Sequence, residues 1–369
     1  MRTSVNFEYP VRGSGRPQIL LIGNGLERKS GQVAWGKLVD NLTEQSCIPL
    51  TEKEKESVPF PLLYEVLSLG TPIPKVLDKS DISREEKRLK EEMARLVNQS
   101  NDLLDELPKL GADHIFTTNY SYCLEKAFSP RKSFANSWTR TENRFNLSLP
   151  DVETGRQKLE REYRMHSGYL SENADATSVA LWHIHGETHV PGGIVLGHDR
   201  YGRLLKRIIE VCEELDYRKI QKEDAKRSFT SWPELFLFGD IYVIGFGFEQ
   251  CEFDLWWLLK RKQRERYADG TVYFYDKAIT EKPFLAADPS ASEEDKKRIL
   301  QENQNIRWHN RTAEKNSLRN KLLRAHGVEI LDLGSTNETA YDDFYHLAFA
   351  DVKEKIEASR QGSAVNAGG

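Results

Sequence analysis

The chain has 369 residues, with 53 Lys and Arg against 57 Asp and Glu, a net charge of −4. That length accommodates one large α/β domain with insertions or two modest domains, and the balanced charge gives no electrostatic case for nucleic acid as the main partner. Apolar runs fall far short of the ~20 residues a membrane span needs, and Met1 to Glu8 carries no signal-peptide hydrophobic region, so a cytoplasmic protein is expected.

In chain order, Arg12 to Pro17 reads as an irregular lead-in to a buried strand, Gln18 to Ile22. This strand runs into Gly23-Asn24-Gly25, where glycine lets the backbone approach a ligand closely. The backbone N–H groups there, at the start of a helix near Val33 to Asn41, can face a pyrophosphate. Residues 52–107 are expected to form a helical insertion. Within it, from Ser83 to Leu107, Leu89, Met93, Leu96, Val97, Leu103, Leu104 and Leu107 recur largely at three- and four-residue intervals among charges, one amphipathic stripe. A second strand, His114-Ile115-Phe116, ends in Thr117-Thr118-Asn119-Tyr120, where the Asn119 carboxamide can hold a polar ligand. Residues 130–177 are polar, with Trp138, Phe145, Tyr163 and Tyr169 dispersed and no sustained period, which suits a lid or an oligomer contact.

Trp182-His183-Ile184-His185-Gly186 is a third apolar run with a polar end, followed by a short strand at Gly193 to Gly197 and a helix from His198 to Arg227. Ile241 to Gly245 leads into Gly245-Phe246-Gly247, whose glycines admit a ribose or phosphate, or serve only tight packing. In the next helix, Gln250 to Arg266, Asp254 falls among Phe253, Trp256 and Trp257 as a capping, pairing or ligand-contacting residue. The run Lys260 to Arg266 reads as a solvated helix end rather than a nucleic-acid patch. A strand at Thr271 to Tyr275, further helix between Ala291 and Ala325, a strand at Val328 to Leu333 and an amphipathic helix from Thr339 to Ile356 complete the pattern, and residues 359–369 are expected to be disordered. Alternating strands and helices favour a doubly wound, mainly parallel Rossmann-like α/β sheet in one domain over residues 1–355. Ligands bind outside the carboxyl ends of such strands, so four polar ends suggest one site.

The four cysteines, Cys47, Cys123, Cys212 and Cys251, contain no Cys-x-x-Cys, so neither a disulfide framework nor a zinc ribbon is expected. His183 and His185 lie two apart on one strand face, with His189 beyond, but no Cys or carboxylate completes a zinc site at recognisable spacing, and no metal is expected.

The order of Gly23-Asn24-Gly25, Thr117-Thr118-Asn119-Tyr120, His185-Gly186 and Gly245-Phe246-Gly247 with Asp254 resembles the sirtuin family over roughly Gln18 to Leu333, and its bacterial sirtuin-like branch more than the protein deacetylases. The resemblance implies NAD as substrate. It assigns Asn119 to positioning a water or the ribose hydroxyls and His185, with an ordinary pKa of about 6.5, to general-base catalysis. Gly23, Asn24, Gly25, Thr118, Tyr120, Gly186, Gly245, Gly247 and Asp254 become NAD-binding candidates. The absent zinc cysteines imply an NAD glycohydrolase that releases nicotinamide and ADP-ribose as an effector of anti-phage defence. Protein deacylation or ADP-ribosyl transfer, and a non-catalytic nucleotide-binding scaffold, are the alternatives. A homo-oligomer or a HerA-type ATPase partner is implied, with no membrane and no sequence-specific nucleic acid. Two features depart from the family. Ser121 stands where an Asp is usual, so that serine with a water suffices, Glu125 takes the role, or NAD binding is weak. Glu27-Arg28-Lys29-Ser30 replaces a run of small residues, and the planar fork of Arg28 could pair with a phosphate.

Overall fold

The computed structural model describes residues 15–30, 50–51, 54–55, 58–69, 100–128, 165, 169–172, 178–188, 193–215, 229, 231–268, 270–286, 288 and 290–366. Seven strands lie in one sheet: β1 Gln18–Ile22, β2 His114–Thr117, β3 Tyr169–Glu172, β4 Ser178–His183, β5 Asp240–Ile244, β6 Val272–Tyr275 and β7 Val328–Leu331. Their order is β3-β4-β2-β1-β5-β6-β7, with only edge strand β3 antiparallel to its neighbour. Without β3, the six parallel strands follow the 3-2-1-4-5-6 order of a Rossmann sheet, whose direction of winding reverses between β1 and β5. Both faces of such a sheet are covered, so central strands are continuous apolar runs rather than alternating ones. QILLI in β1 and DIYVI in β5 are buried along their whole length.

Successive residues still point to opposite faces, and the core divides accordingly. Ile19 and Leu21 join Phe116 and Trp182 on one face, under helices α4 His198–Glu213, α5 Trp232–Phe238 and α6 Phe253–Arg264. Leu20 and Ile22 join Ile115 and Leu181 on the other, against the short helix α3 Cys123–Phe128 and the C-terminal helix α8 Tyr341–Asn366. Register then sets the site. Ile22 pairs with Thr117 and with Ile244, and Thr117 pairs with His183, so four strands end at one level.

Helix α5 starts at a capping box, Ser231 with Glu234, and carries Pro233 in its first turn. Its other end is closed by a cation from α6. Lys262 Nζ donates to the carbonyls of Phe236, Leu237 and Gly239 at 3.2, 2.8 and 2.7 Å, in a position only 5% exposed. The charge thus satisfies carbonyls that lack helix partners and complements the helix dipole. The long helix α7 Glu293–Ala325 buries only Ala313 and Leu323; the segment before it is clipped along its flank by Asn303 and Asn310, whose side chains bond the backbone of Leu285 and Lys282 in both directions.

Several expectations are corrected. Lys262 is not part of a solvated helix end. Residues 193–197 contain no strand; irregular chain leads into α4 instead. Strand β3 lies within the stretch 130–177, which shows no period because a short edge strand leaves little alternation to read. Residues 359–366, expected to be disordered, continue α8 to Asn366, whose anchor is the buried stripe Phe344, Ala348, Val352 and Ile356 upstream. Leu104–Lys109 is 3-10 rather than α-helical, with Pro108 inside it, and buries Leu104 and Leu107. The rest of the expected stripe, 83–99, and the helix expected at Val33 to Asn41 lie outside the described residues, as does most of 130–177. Helix α2 Phe60–Leu69 is the longest described helix in the stretch 52–107. Cys123, Cys212 and Cys251 are buried, and Cys47 lies outside the described residues. Among the described residues no helix is long and apolar enough to cross a membrane.

Lys262→Met keeps the packing volume of the stem and removes the charge. It is expected to lower stability by roughly 1.5–3 kcal/mol, the range for hydrogen bonds to a charged group. Urea unfolding with an unchanged m-value would show it.

Candidate active site

A cavity of about 1090 Å³ opens at the carboxyl ends of β1, β5 and β6. This lies just above the ~300–1,000 Å³ typical of ligand pockets, enough for a dinucleotide. Backbone closeness shapes its floor. Gly25 N donates to Gly245 O at 2.8 Å, and a Cβ on Gly25 would lie 2.7 Å from Gly245 Cα and 2.6 Å from the Tyr345 hydroxyl. Gly245 has φ +66°, in the left-handed region that favours glycine. Asn24, Gly25, Arg28, Thr118, Tyr120, His185, Gly245 and Gly247 all line the cavity. Gly23, Asn119, Gly186 and Asp254 do not; Asn119 lies between Thr118 and Tyr120, which do, and is bonded on its far side to Glu27. Gly23 lets the two loops meet, since a Cβ there would sit 2.5 Å from Gly245 O.

Strand β4 stops at His183, so His183 and His185 do not share a strand face. Val195 N donates to His185 O at 2.9 Å, and Gly186 turns the chain at φ +91° with Gly193 O where a Cβ would be. His185 Nε2 lies 2.8 Å from Asp254 Oδ2, and Nδ1 lies 3.7 Å from Glu252 Oε2. The Tyr201 hydroxyl donates to Glu252 at 3.0 Å, and its ring meets His185 edge-on at 5.5 Å. Burial disfavours the charged ring, but the Asp254 charge and hydrogen bond and the Glu252 charge together raise the His185 pKa. Burial pushes Glu252 up to about 7; the His185 charge and the Tyr201 hydrogen bond restrain that rise, while Asp254 adds to it. The result is an imidazole braced by a buried carboxylate on one side and facing a cavity-lining carboxylate on the other, a pair able to take or give a proton near neutrality. Glu252, missed in the sequence, precedes Asp254 by two positions at the start of α6.

His185, Glu252 and Asp254 also place three potential ligand atoms within 4.8 Å of one another. Carboxylates are therefore at hand where sequence spacing showed none. A cation here would have to displace the His185–Asp254 hydrogen bond, and what the geometry supports is a hydrogen-bonded array.

His183 belongs to a second, deeper network. Its Nδ1 donates to the Asn119 carbonyl at 2.9 Å, and its Nε2 lies 2.6 Å from Glu125 Oε1. Burial opposes its charge, yet the charge and hydrogen bond of Glu125, the charge of Glu187 and the Asn119 carbonyl push it up to about 9. Asn119 itself is fixed from both ends. Its backbone N–H donates to Thr117 Oγ1, which donates to Ile22 O, and its Nδ2 donates to Glu27 Oε1 at 2.8 Å. Ser121 Oγ donates to the other Glu27 oxygen at 2.5 Å. Burial raises the Glu27 pKa and these two hydrogen bonds lower it in part. The carboxylate that reaches the Asn119 amide is thus Glu27, from the short helix α1 Asn24–Glu27, while Glu125 is engaged by His183. Arg28 is exposed on the rim. The far wall carries ion pairs of mixed sign, Arg319 with Asp276 at 2.5 Å and Lys315 with Glu249 at 2.7 Å.

A Rossmann-ordered sheet with a glycine-floored crevice at its point of reversal defines a Rossmann-like α/β protein, the architecture in which ligands bind outside the strand ends. Residues 113–309 match the SIR2-like domain, more than half of the chain, and the protein belongs to that family, which is typically one of NAD-dependent enzymes. The match begins beyond the Gly23-Asn24-Gly25 loop, which joins the site through the β1–β5 contact. No curated protein gives a significant match to the sequence.

The His183 ring has a folded pKa of about 9 against about 6.5 when unfolded, so the folded state binds the extra proton between these values. Its contribution to stability is complete below about pH 6.5 and is lost as pH rises through 9. Chemical denaturation at pH 6.5 and pH 9.5 is expected to show a fall in wild-type stability that is smaller in His183→Gln.

Proposed function

We propose that the protein is an NAD glycohydrolase that cleaves NAD to nicotinamide and ADP-ribose. The observation that carries this reading is the His185–Glu252 pair at the wall of a crevice whose glycines bring backbone to the ligand. In this reading the pyrophosphate lies along the Gly25 and Gly245 backbone, with Arg28 as its cation at the rim. The nicotinamide–ribose bond breaks with its electron pair leaving on nicotinamide. Positive charge gathers on the sugar, where the carboxylates of Glu252 and Asp254 stabilise it. Water bonds to the anomeric carbon and gives its one displaced proton to His185, whose positive charge Glu252 and Asp254 balance. Asn119 holds the water or the ribose hydroxyls in place.

In folded protein His185→Ala is expected to lower nicotinamide release by roughly 10²–10⁴-fold, the usual range for a positioned acid–base group, and Asn119→Ala by about 10²-fold, the cost of misplacing a reactant. Near-wild-type turnover in folded His185→Ala would overturn the reading. Activity is expected to rise as pH climbs through about 7, because the pair must lose a proton to act as base, and Glu252→Gln should flatten that limb. Including an acetylated peptide in the assay tests protein deacylation in the same experiment.

Unrestrained NAD cleavage would be toxic, and we extend the proposal to an anti-phage effector held silent by self-assembly or by a HerA-type ATPase. The isolated chain is then expected to be oligomeric and weakly active. Light scattering that gives a monomer at micromolar concentration, together with full turnover without lag, would count against it.

A further inference from the structure

We propose that Glu27 is the positioning residue for Asn119: its buried carboxyl group decides which edge of the carboxamide is tied back and which is presented to substrate. This rests on the reading of Asn119 as a substrate-orienting group. A carboxamide has a donating edge and an accepting edge of nearly equal shape, and packing alone does not choose between them. A carboxylate only accepts hydrogen bonds. Bound to Glu27 Oε1 at 2.8 Å, Asn119 must offer its NH₂ to the protein, which leaves Oδ1 as the free acceptor. An acceptor is what a water or a ribose hydroxyl requires in order to be held by its proton.

Glu27 is itself held. Ser121 Oγ donates to its second oxygen at 2.5 Å, and Asn101 Nδ2 donates to Leu26 O beside it at 2.9 Å. Glu27 and Ser121 are 1% and 2% exposed against 6% for Asn119, which sits between the cavity-lining Thr118 and Tyr120, so Glu27 acts through Asn119. The two loops involved follow β1 and β2, which are paired in the sheet, so Glu27 also ties the glycine loop to the Asn119 loop.

Four forms of the full chain test this: wild type, Glu27→Ala, Ser121→Asp and the double variant Glu27→Gln/Ser121→Asp. In the double variant the amide oxygen introduced at position 27 still accepts from Asn119, while the amide nitrogen there donates to the carboxylate introduced at position 121, so the array is rebuilt with the charge moved. The first readout is the side-chain amide of Asn119 in protein labelled with ¹⁵N-asparagine, assigned by its loss in Asn119→Ala. Slow hydrogen exchange is expected in wild type and the double variant, and fast exchange in Glu27→Ala. The second is nicotinamide release. Glu27→Ala is expected to lose about 10²-fold in kcat, the cost of a small misplacement, with NAD affinity by calorimetry changed much less. Ser121→Asp alone sets two carboxylates face to face and should also lose activity, and the double variant should recover most of it. Unchanged amide exchange in Glu27→Ala, or a double variant no better than the single ones, would overturn the proposal. If wild type releases no nicotinamide, the NAD reading fails, while the amide spectra still decide whether Glu27 sets the Asn119 carboxamide.

Discussion

The backbone of Gly25 hydrogen-bonds to Gly245 at 2.8 Å, and no side chain fits at Gly23, Gly25 or Gly245 without meeting the opposing loop. That contact is possible only because β1 and β5 are neighbours in register while the connections leaving them wind to opposite sides. A crevice has to open where the winding reverses. The polar ends of β2 and β4, level with those of β1 and β5, are thereby gathered at one edge of the sheet, close to the crevice.

Around this floor the buried charges are divided between two histidines only two residues apart. His185, past the end of β4, sits between Asp254 and Glu252 and borders the cavity. His183, the last residue of β4, is clamped by Glu125 and by the Asn119 carbonyl. The difference is one of dielectric and access. A cation sealed among carboxylates keeps its proton well above neutrality and serves to tie β2 to β4. A histidine whose second carboxylate partner lines the cavity can exchange its proton with what lies there. Glu252 is the less settled carboxylate, pushed up to about 7 by burial, and Tyr201 keeps it in place at the cost of one of its free lone pairs.

The carboxylates that matter most for the site come from distant parts of the chain. Glu27 reaches Asn119 from the loop after β1, and Asp254 reaches His185 from the first turn of α6. Each secures a side chain by one edge, which suits precise placement better than contact by mobile charges. The rim and far wall, with Arg28, Lys315 and Arg319 among Asp276 and Glu249, are mixed in sign.

The amino-acid sequence by itself determined the fully buried strands β1, β2 and β5, because a strand covered on both faces must be a continuous apolar run. It also marked Gly23-Asn24-Gly25, Asn119, His185 and Gly245 as strand ends with unusual chemistry, a local property. It could not decide partners. Periodicity reports that a segment is buried and on which face, but not what it is buried against; that is settled by strand order and by where helices land. Only the tertiary structure therefore separated His183 from His185, turned Lys262 inward to close α5, placed β3 at the edge, and brought Glu27 and Glu252 to a site where the sequence had shown one as a departure from pattern and the other not at all.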